Sequence, residues 1–264
     1  MNRRAGEIHA RHFGAGPDVV MVHGWGMHGG VWRDFAMRLA EHFRITLVDL
    51  PGHGRSGLIP GQSLEDWGDA LLGMAPARAH WLGWSLGGLI ALQLAHRHPT
   101  RVASLTMLAG NVRFAQGSDW PHAMAQDMLE KFAGDMLADA HHTLLRFLGL
   151  QVWGLEQAKD LMKELRGRVE ECAPPEPDAL RVGLNLLRGT DLRATLAQLR
   201  VPLLLLIGGR DRLVPRTAGR SMAEMAPRAQ IHEIAMAGHV PFLTHEAECV
   251  RVLEDFWGRH EPGA

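Results

Sequence analysis

The stretch Trp81-Leu82-Gly83-Trp84-Ser85-Leu86-Gly87-Gly88-Leu89-Ile90 constrains this chain more than any other. A short apolar run leads into Gly-x-Ser-x-Gly, and a helix-compatible apolar segment follows directly. That is the strand–turn–helix context in which a sharp turn lifts a serine to the top of a sheet. Gly83 and Gly87 suit such a turn, because strained backbone angles and close strand–helix approach leave no room for a Cβ. The plainer alternative is a glycine-rich turn in which Ser85 only caps the helix. The pentapeptide alone leaves both open. The rest of the chain has to supply a base, an acid and donors for an oxyanion.

Along the chain, Val19-Val20-Met21-Val22 reads as a buried strand opening into the loop His23-Gly24-Trp25-Gly26. Helical spacing covers Val31 to Phe43, and Ile45 to Leu50 forms a strand that stops at Pro51-Gly52-His53-Gly54-Arg55-Ser56. Ser63, with Asp66 three residues on, marks a capped helix start running to about Met74. The helix after Ser85 should end by His98, before Pro99, and Val102 to Leu108 is the next strand. From Asn111 to Arg188 the pattern turns helical, with the best stretches at Met124–Leu137, His142–Val152, Leu155–Val169 and Ala179–Leu187. Strands resume at Val201–Ile207 and Ile231–Ile234, with helices at Arg216–Met225 and Ala247–Trp257. Strands alternating with helices predict an α/β fold with a mostly parallel central sheet flanked by helices. The division expected is a core of residues 1–110 and 190–264 with a helical lid, 111–189, inserted in it.

A chain of 264 residues suits one sizeable domain, and its net charge of −1 gives no global field for nucleic acid or a membrane surface. No segment approaches the roughly 18 uninterrupted apolar residues of a membrane span. The N-terminus lacks the apolar region of a secretory signal. Two cysteines, Cys172 and Cys249, fit buried thiols in a reducing compartment, so a cytoplasmic protein is expected. The sixteen histidines are scattered without ligand spacing, and neither a metal nor a cofactor is expected.

In open α/β sheets, sites gather at the carboxyl ends of strands. Ser85, Asp211 and His239 each follow a predicted strand, in the order Ser, Asp, His. A serine hydroxyl needs a base within hydrogen-bond reach; His239 would accept its proton and Asp211 would fix the imidazole tautomer. Asp49 also ends a strand, but it precedes the turn and sits against Pro51, where a turn role suits it better. His23 belongs beside the loop rather than as the base. Backbone N–H groups of Leu86 and Trp25 are the candidate oxyanion donors. Trp25, Trp84, Phe147, Leu148 and Leu150 offer an apolar channel, with Gln151 as a polar contact; ordinary packing is the alternative, favoured for Leu148.

These markers resemble the α/β-hydrolase superfamily: His23-Gly24-Trp25-Gly26, Asp49 to Ser56, the Ser85 turn, Gly209-Arg210-Asp211 and Gly238-His239. A narrower likeness is carried by the tryptophan beside Ser85, Asp119-Trp120-Pro121, Arg146 to Gln151 and Asp191-Leu192-Arg193. It is to the BioH family of carboxylesterases, which cleave the methyl ester of pimeloyl-acyl-carrier protein in biotin synthesis. That resemblance implies a substrate site lined by Trp25, Ser85, Leu86, Phe147, Gln151 and His239, and an acidic carrier protein as partner. Gly149 departs from the pattern by adding flexibility inside the lid segment. Basic side chains would help an acidic partner dock, and Arg146, Lys159, Lys163 and Arg166 are the candidates. Interleaved Glu156, Asp160 and Glu164 leave a solvated mixed-charge helix as the alternative. A broad short-chain esterase, a C–C bond or lactone hydrolase, and a non-catalytic binding protein complete the readings, with a monomer as the expected state.

Overall fold

In the computed structural model, which describes residues 3–261, seven strands form one sheet. They are β1 (Ala10–Phe13), β2 (Asp18–Val22), β3 (Arg44–Val48), β4 (Ala79–Trp84), β5 (Val102–Leu108), β6 (Leu203–Gly208) and β7 (Gln230–Ile234), in the spatial order β1-β3-β2-β4-β5-β6-β7. All neighbours run parallel except β1, which pairs antiparallel with β3. The fold class read from the sequence is therefore the observed one. Strand β1 was missed because Ala-Arg-His-Phe is short, half exposed and lacks the apolar run that marks the buried strands.

The helices are α1 (Arg33–Leu39), α2 (Leu64–Leu72), α3 (Leu86–Arg97), α4 (Gln126–Ala138), α5 (Ala140–Val152), α6 (Ala158–Glu170) and α7 (Pro177–Gly189). After them come α8 (Arg193–Ala197), α9 (Arg216–Met225), α10 (Pro241–Thr244) and α11 (Glu246–Gly258). Helix α1 packs on α11, while α2, α3, α8 and α9 touch in succession, so the sheet is covered on both faces. That cover is why β4, β5 and β6 are buried along their whole length and read as continuous apolar runs.

The predicted cap on α2 is present in full: the Ser63 hydroxyl accepts from the Asp66 N–H, and the Asp66 carboxylate accepts from the Ser63 N–H. The helix expected from Val31 to Phe43 is shorter. A 3-10 turn, Gly29–Trp32, leads into α1, and Phe43 instead packs edge-on against Trp257 at 5.1 Å. Helices α4 to α7 lie between β5 and β6 in the chain, a helical region inserted in the sheet pattern.

Candidate active site

The turn between β4 and α3 is set by backbone contacts. A Cβ on Gly83 would lie 2.3 Å from the Gly87 carbonyl oxygen, and one on Gly87 would lie 2.4 Å from that of Val22. Both positions therefore require glycine. Ser85 sits between them at φ 56°, ψ −118°. A non-glycine residue held there costs on the order of 1–3 kcal/mol. The Ser85 N–H donates to Leu108 O at 3.1 Å, and its carbonyl accepts from the Gly88 N–H at 2.9 Å. Its hydroxyl makes no capping bond to α3. The capping alternative fails on that observation: the strained residue holds its oxygen away from the helix.

His239 follows the last strand, and its Nδ1–H donates to Asp211 Oδ2 at 2.8 Å, with both side chains buried. The other oxygen, Asp211 Oδ1, accepts from the N–H groups of Leu213 and Val214 at 2.8 and 2.9 Å. Because the carboxylate can only accept, the imidazole is fixed as the Nδ1–H tautomer. Its Nε2 then carries a lone pair, and that atom is buried with no protein partner among the described residues. The backbone of His239 is clamped as well. Its carbonyl accepts from Trp84 Nε1–H at 2.8 Å, and its N–H donates to Gln151 O at 3.4 Å. Trp84 adjoins Ser85 in sequence, so this clamp brings the base to the nucleophile's strand. Close approach of Gly208 to the Gly238 carbonyl, 2.2 Å from where a Cβ would stand, lets the β6 end and the histidine loop meet.

The rival groups are occupied elsewhere. Asp49 accepts from the Gly29 N–H at 2.6 Å and the Arg55 N–H at 2.8 Å, which makes it the organiser of two loops. His23 donates from Nδ1 to Gly24 O at 2.8 Å and accepts at Nε2 from the Leu50 N–H at 2.9 Å. Burial pushes its pKa down to about 3, so it stays neutral.

Trp25 is buried and joins the loop after β2 to the inserted helices. Its Nε1–H donates to Leu180 O at 2.9 Å, and its ring meets Phe147 edge-on at 4.8 Å. A Cβ on Gly183 would press on the Trp25 ring at 2.6 Å and on the Leu86 side chain at 3.3 Å, so these three residues converge. Neither the Trp25 nor the Leu86 N–H has a protein acceptor among the described residues. Gln151 is buried with its Oε1 unpartnered, one helix turn from Phe147 and against the His239 backbone. Gly183, Leu180 and Leu144, the last packed on Gly26, were not singled out from the sequence. The glycine inside the amphipathic α7 was the available signal, since a mid-helix glycine usually marks close packing.

Three of the five residues considered for the channel do not line the site. Trp84 is fully buried among Trp32 and Phe242, at 6.0 and 5.1 Å, and acts beneath His239 through its indole N–H. Leu150 faces a groove between α4 and α5, with Met128 and Phe132. Leu148 is core packing. Gly149 lies within α5 with open space around it and leaves the helix unbroken.

Of the basic residues, Arg146 is already paired with Asp135 at 2.6 Å. Lys159, Lys163 and Arg166 are exposed on α6 without an ion pair among the described residues, while Glu164 pairs with Arg168 at 3.2 Å. No group of three or more potential metal ligands converges among the described residues. Among them, too, no helix is long and apolar enough to cross a membrane.

A family model described as alpha/beta hydrolase fold matches residues 17–246. The chain is 44% identical to a pimeloyl-[acyl-carrier protein] methyl ester esterase of Methylococcus capsulatus, covering 92% of this chain and 95% of that protein. It is likewise 44% identical to one of the same name from Chromobacterium violaceum, over 92% of this chain and 94% of the other. Among solved structures, an esterase from Exiguobacterium antarcticum superposes with a TM-score of 0.85 at 23% identity, covering 94% of each chain.

Proposed function

The chain belongs to the α/β-hydrolase family, in the branch of the pimeloyl-[acyl-carrier protein] methyl ester esterases, and on that premise we propose that Ser85, His239 and Asp211 hydrolyse this methyl ester in biotin synthesis. The observation that carries the chemistry is the Nδ1-tethered, Nε2-free imidazole of His239, bound through Trp84 to the strand that ends at the uncapped Ser85. The substrate rests on the relatives' names.

Ser85 Oγ attacks the ester carbonyl while His239 Nε2 takes the hydroxyl proton, and Asp211 stabilises the imidazolium. The developing oxyanion lies at the N–H groups of Leu86, at the start of α3, and Trp25. Collapse expels methanol, which takes the proton from His239 and leaves an acyl-enzyme. Water, deprotonated by the same nitrogen, then releases the free carboxylate and restores Ser85. Trp25, Phe147 and Gln151 make up the acyl channel under helices α4 to α7, which act as its lid. Lys159, Lys163 and Arg166 on α6, with Arg146 on α5, face the acidic carrier protein. Two free cysteines fit a cytoplasmic enzyme, and the reading includes a monomer, to be checked by light scattering.

The test is hydrolysis of purified pimeloyl-carrier methyl ester, followed by the mass lost with the methyl group. Turnover by wild type and none by Ser85→Ala is expected, with a phosphonate probe labelling Ser85. A wild-type enzyme that leaves this ester intact while cleaving free short-chain esters would replace the substrate assignment with a broad esterase. Growth of a biotin auxotroph lacking its own esterase is the matching cellular readout.

A further inference from the structure

A second cavity lies at the carboxyl end of β3, where the antiparallel β1 begins beside it, with a volume of about 300 Å³. In the strand order it is two strands from β4, roughly 10 Å across the sheet. Its wall carries Arg11, Arg33, Arg55 and His9, with Asp49 and Glu171 as the acids. Both acids are already satisfied. Asp49 accepts one backbone N–H on each oxygen, from Gly29 and Arg55, and Glu171 pairs with Arg33. The guanidinium groups of Arg11 and Arg55 have no ion-pair or hydrogen-bond partner among the described residues; Arg11 only overlies the Phe13 ring at 5.9 Å. His9 Nε2 is buried and unpartnered. Burial, partly opposed by Asp49, also lowers the His9 pKa, so its ring is neutral and able to present an N–H there.

The cavity is thus rich in donors and short of acceptors. Guanidinium forks match the planar or tetrahedral oxygens of carboxylates and phosphates. We propose that this cavity binds a small, multiply charged oxyanion, held by Arg11, Arg55 and His9. The cavity is bounded by β1, the loop after β3 and the end of α6, and the three ligands come from β1 with the residue before it and from the loop after β3. The proposal does not depend on the assignment of Ser85 or on the ester cleaved there.

Inorganic phosphate and citrate, titrated calorimetrically into the full chain at ionic strength held constant with chloride, test it. At least one of the two is expected to bind saturably at one site per chain, and the tighter one identifies the source. Loss of each charged fork should weaken binding about tenfold. Arg11→Gln/Arg55→Gln should therefore weaken it about a hundredfold. Arg200→Gln/Arg228→Gln, in a separate arginine-bearing cavity at the other end of β6 and β7, should leave it unchanged. Both targeted arginines are exposed, and melting curves check the fold; His9→Gln is the second variant, expected to weaken binding with its fold intact. Absence of saturable binding by either ion, or equal weakening in the two arginine pairs, overturns the proposal.

Discussion

The β4–α3 turn and the inserted helices meet at Trp25 and Leu86, beside Ser85, but are built by different means. In the turn, backbone touches backbone: Gly83 against Gly87, Gly87 against Val22, and Ser85 bonded to Leu108 and Gly88. The insert is fastened mainly by side chains, with backbone bonds from Glu176 N–H to Gly52 O and from His239 N–H to Gln151 O beside them. Phe147 and Leu180 hold Trp25, Arg168 grips Asp34 and Gly30 O, and Arg193 joins Asp119 to Asp191 at the other end. Backbone contacts of that kind tolerate no substitution, whereas side-chain fastenings weaken by degrees. On the proposed function, chemistry belongs to the turn and its two partner loops, and recognition to the insert. Substitutions in the turn should therefore cost more activity than substitutions in the insert.

The largest loss belongs to Ser85→Ala, which should lower kcat for a chromogenic ester by on the order of 10⁵–10⁶ with the fold intact by circular dichroism. Residual activity within a hundredfold of wild type would remove the turn from the chemistry. Asp211→Asn should follow at about 10⁴, because an amide cannot accept from His239 Nδ1–H while keeping both loop N–H bonds, and the tautomer is lost. Measured kcat should drop while the melting temperature changes little.

Next is a stability effect confined to the sheet side. His23 and His53 are buried with pKa values near 3, and His80 near 4, in each case mainly through desolvation of the charged ring. Their folded values lie below the unfolded 6.5, so the unfolded chain binds more protons below that pH. Stability is therefore full above about pH 6.5 and declines on acidification toward pH 3–4. Between pH 7.5 and 5.5 each histidine should cost about 1 kcal/mol, roughly 3–4 kcal/mol in all. Urea midpoints at the two pH values measure it. An equal loss in a His23→Gln/His53→Gln variant would refute the assignment.

The same contrast governs what could be read from the sequence. The placement of Ser85, Asp211 and His239 after strand ends was legible because strand ends and glycines leave local marks, and the capping box at Ser63 is entirely local. Trp84 was misread as a channel wall. Its neighbours Trp32 and Phe242 lie about fifty and a hundred and sixty residues away, and no periodicity tells which side of β4 an indole takes. Strand β1 carries too little apolar surface to announce itself. The grip of Arg168 on Asp34 spans 134 residues, and in sequence Arg168 is one more charge on a mixed helix.

That grip is where the insert should yield first. Arg168 is 8% exposed and bonds Asp34, Glu164 and Gly30 O, while His28 Nε2–H donates to its carbonyl at 2.6 Å. Asp34 itself is exposed and rehydrates when released, so Arg168→Ala should cost only about 1–2 kcal/mol. Hydrogen exchange should quicken in α6 and leave β4 unchanged. Uniform quickening across both would show that turn and insert are one cooperative unit.

The smallest effect separates recognition from chemistry within one substrate. Lys159 and Lys163 lie one helical turn apart, exposed and unpaired among the described residues. Rim charges steer association and are screened by salt, with little effect on bonds made once a complex has formed. Lys159→Glu/Lys163→Glu should therefore raise KM for the carrier-linked ester by a few-fold to about tenfold, an effect that fades at high ionic strength. It should leave kcat, and both constants for a free short-chain ester, at wild-type values, since neither lysine touches Trp25, Phe147 or His239. A variant equally impaired on both esters would mean that α6 shapes the channel itself, and the division between turn and insert would have to be redrawn along α6.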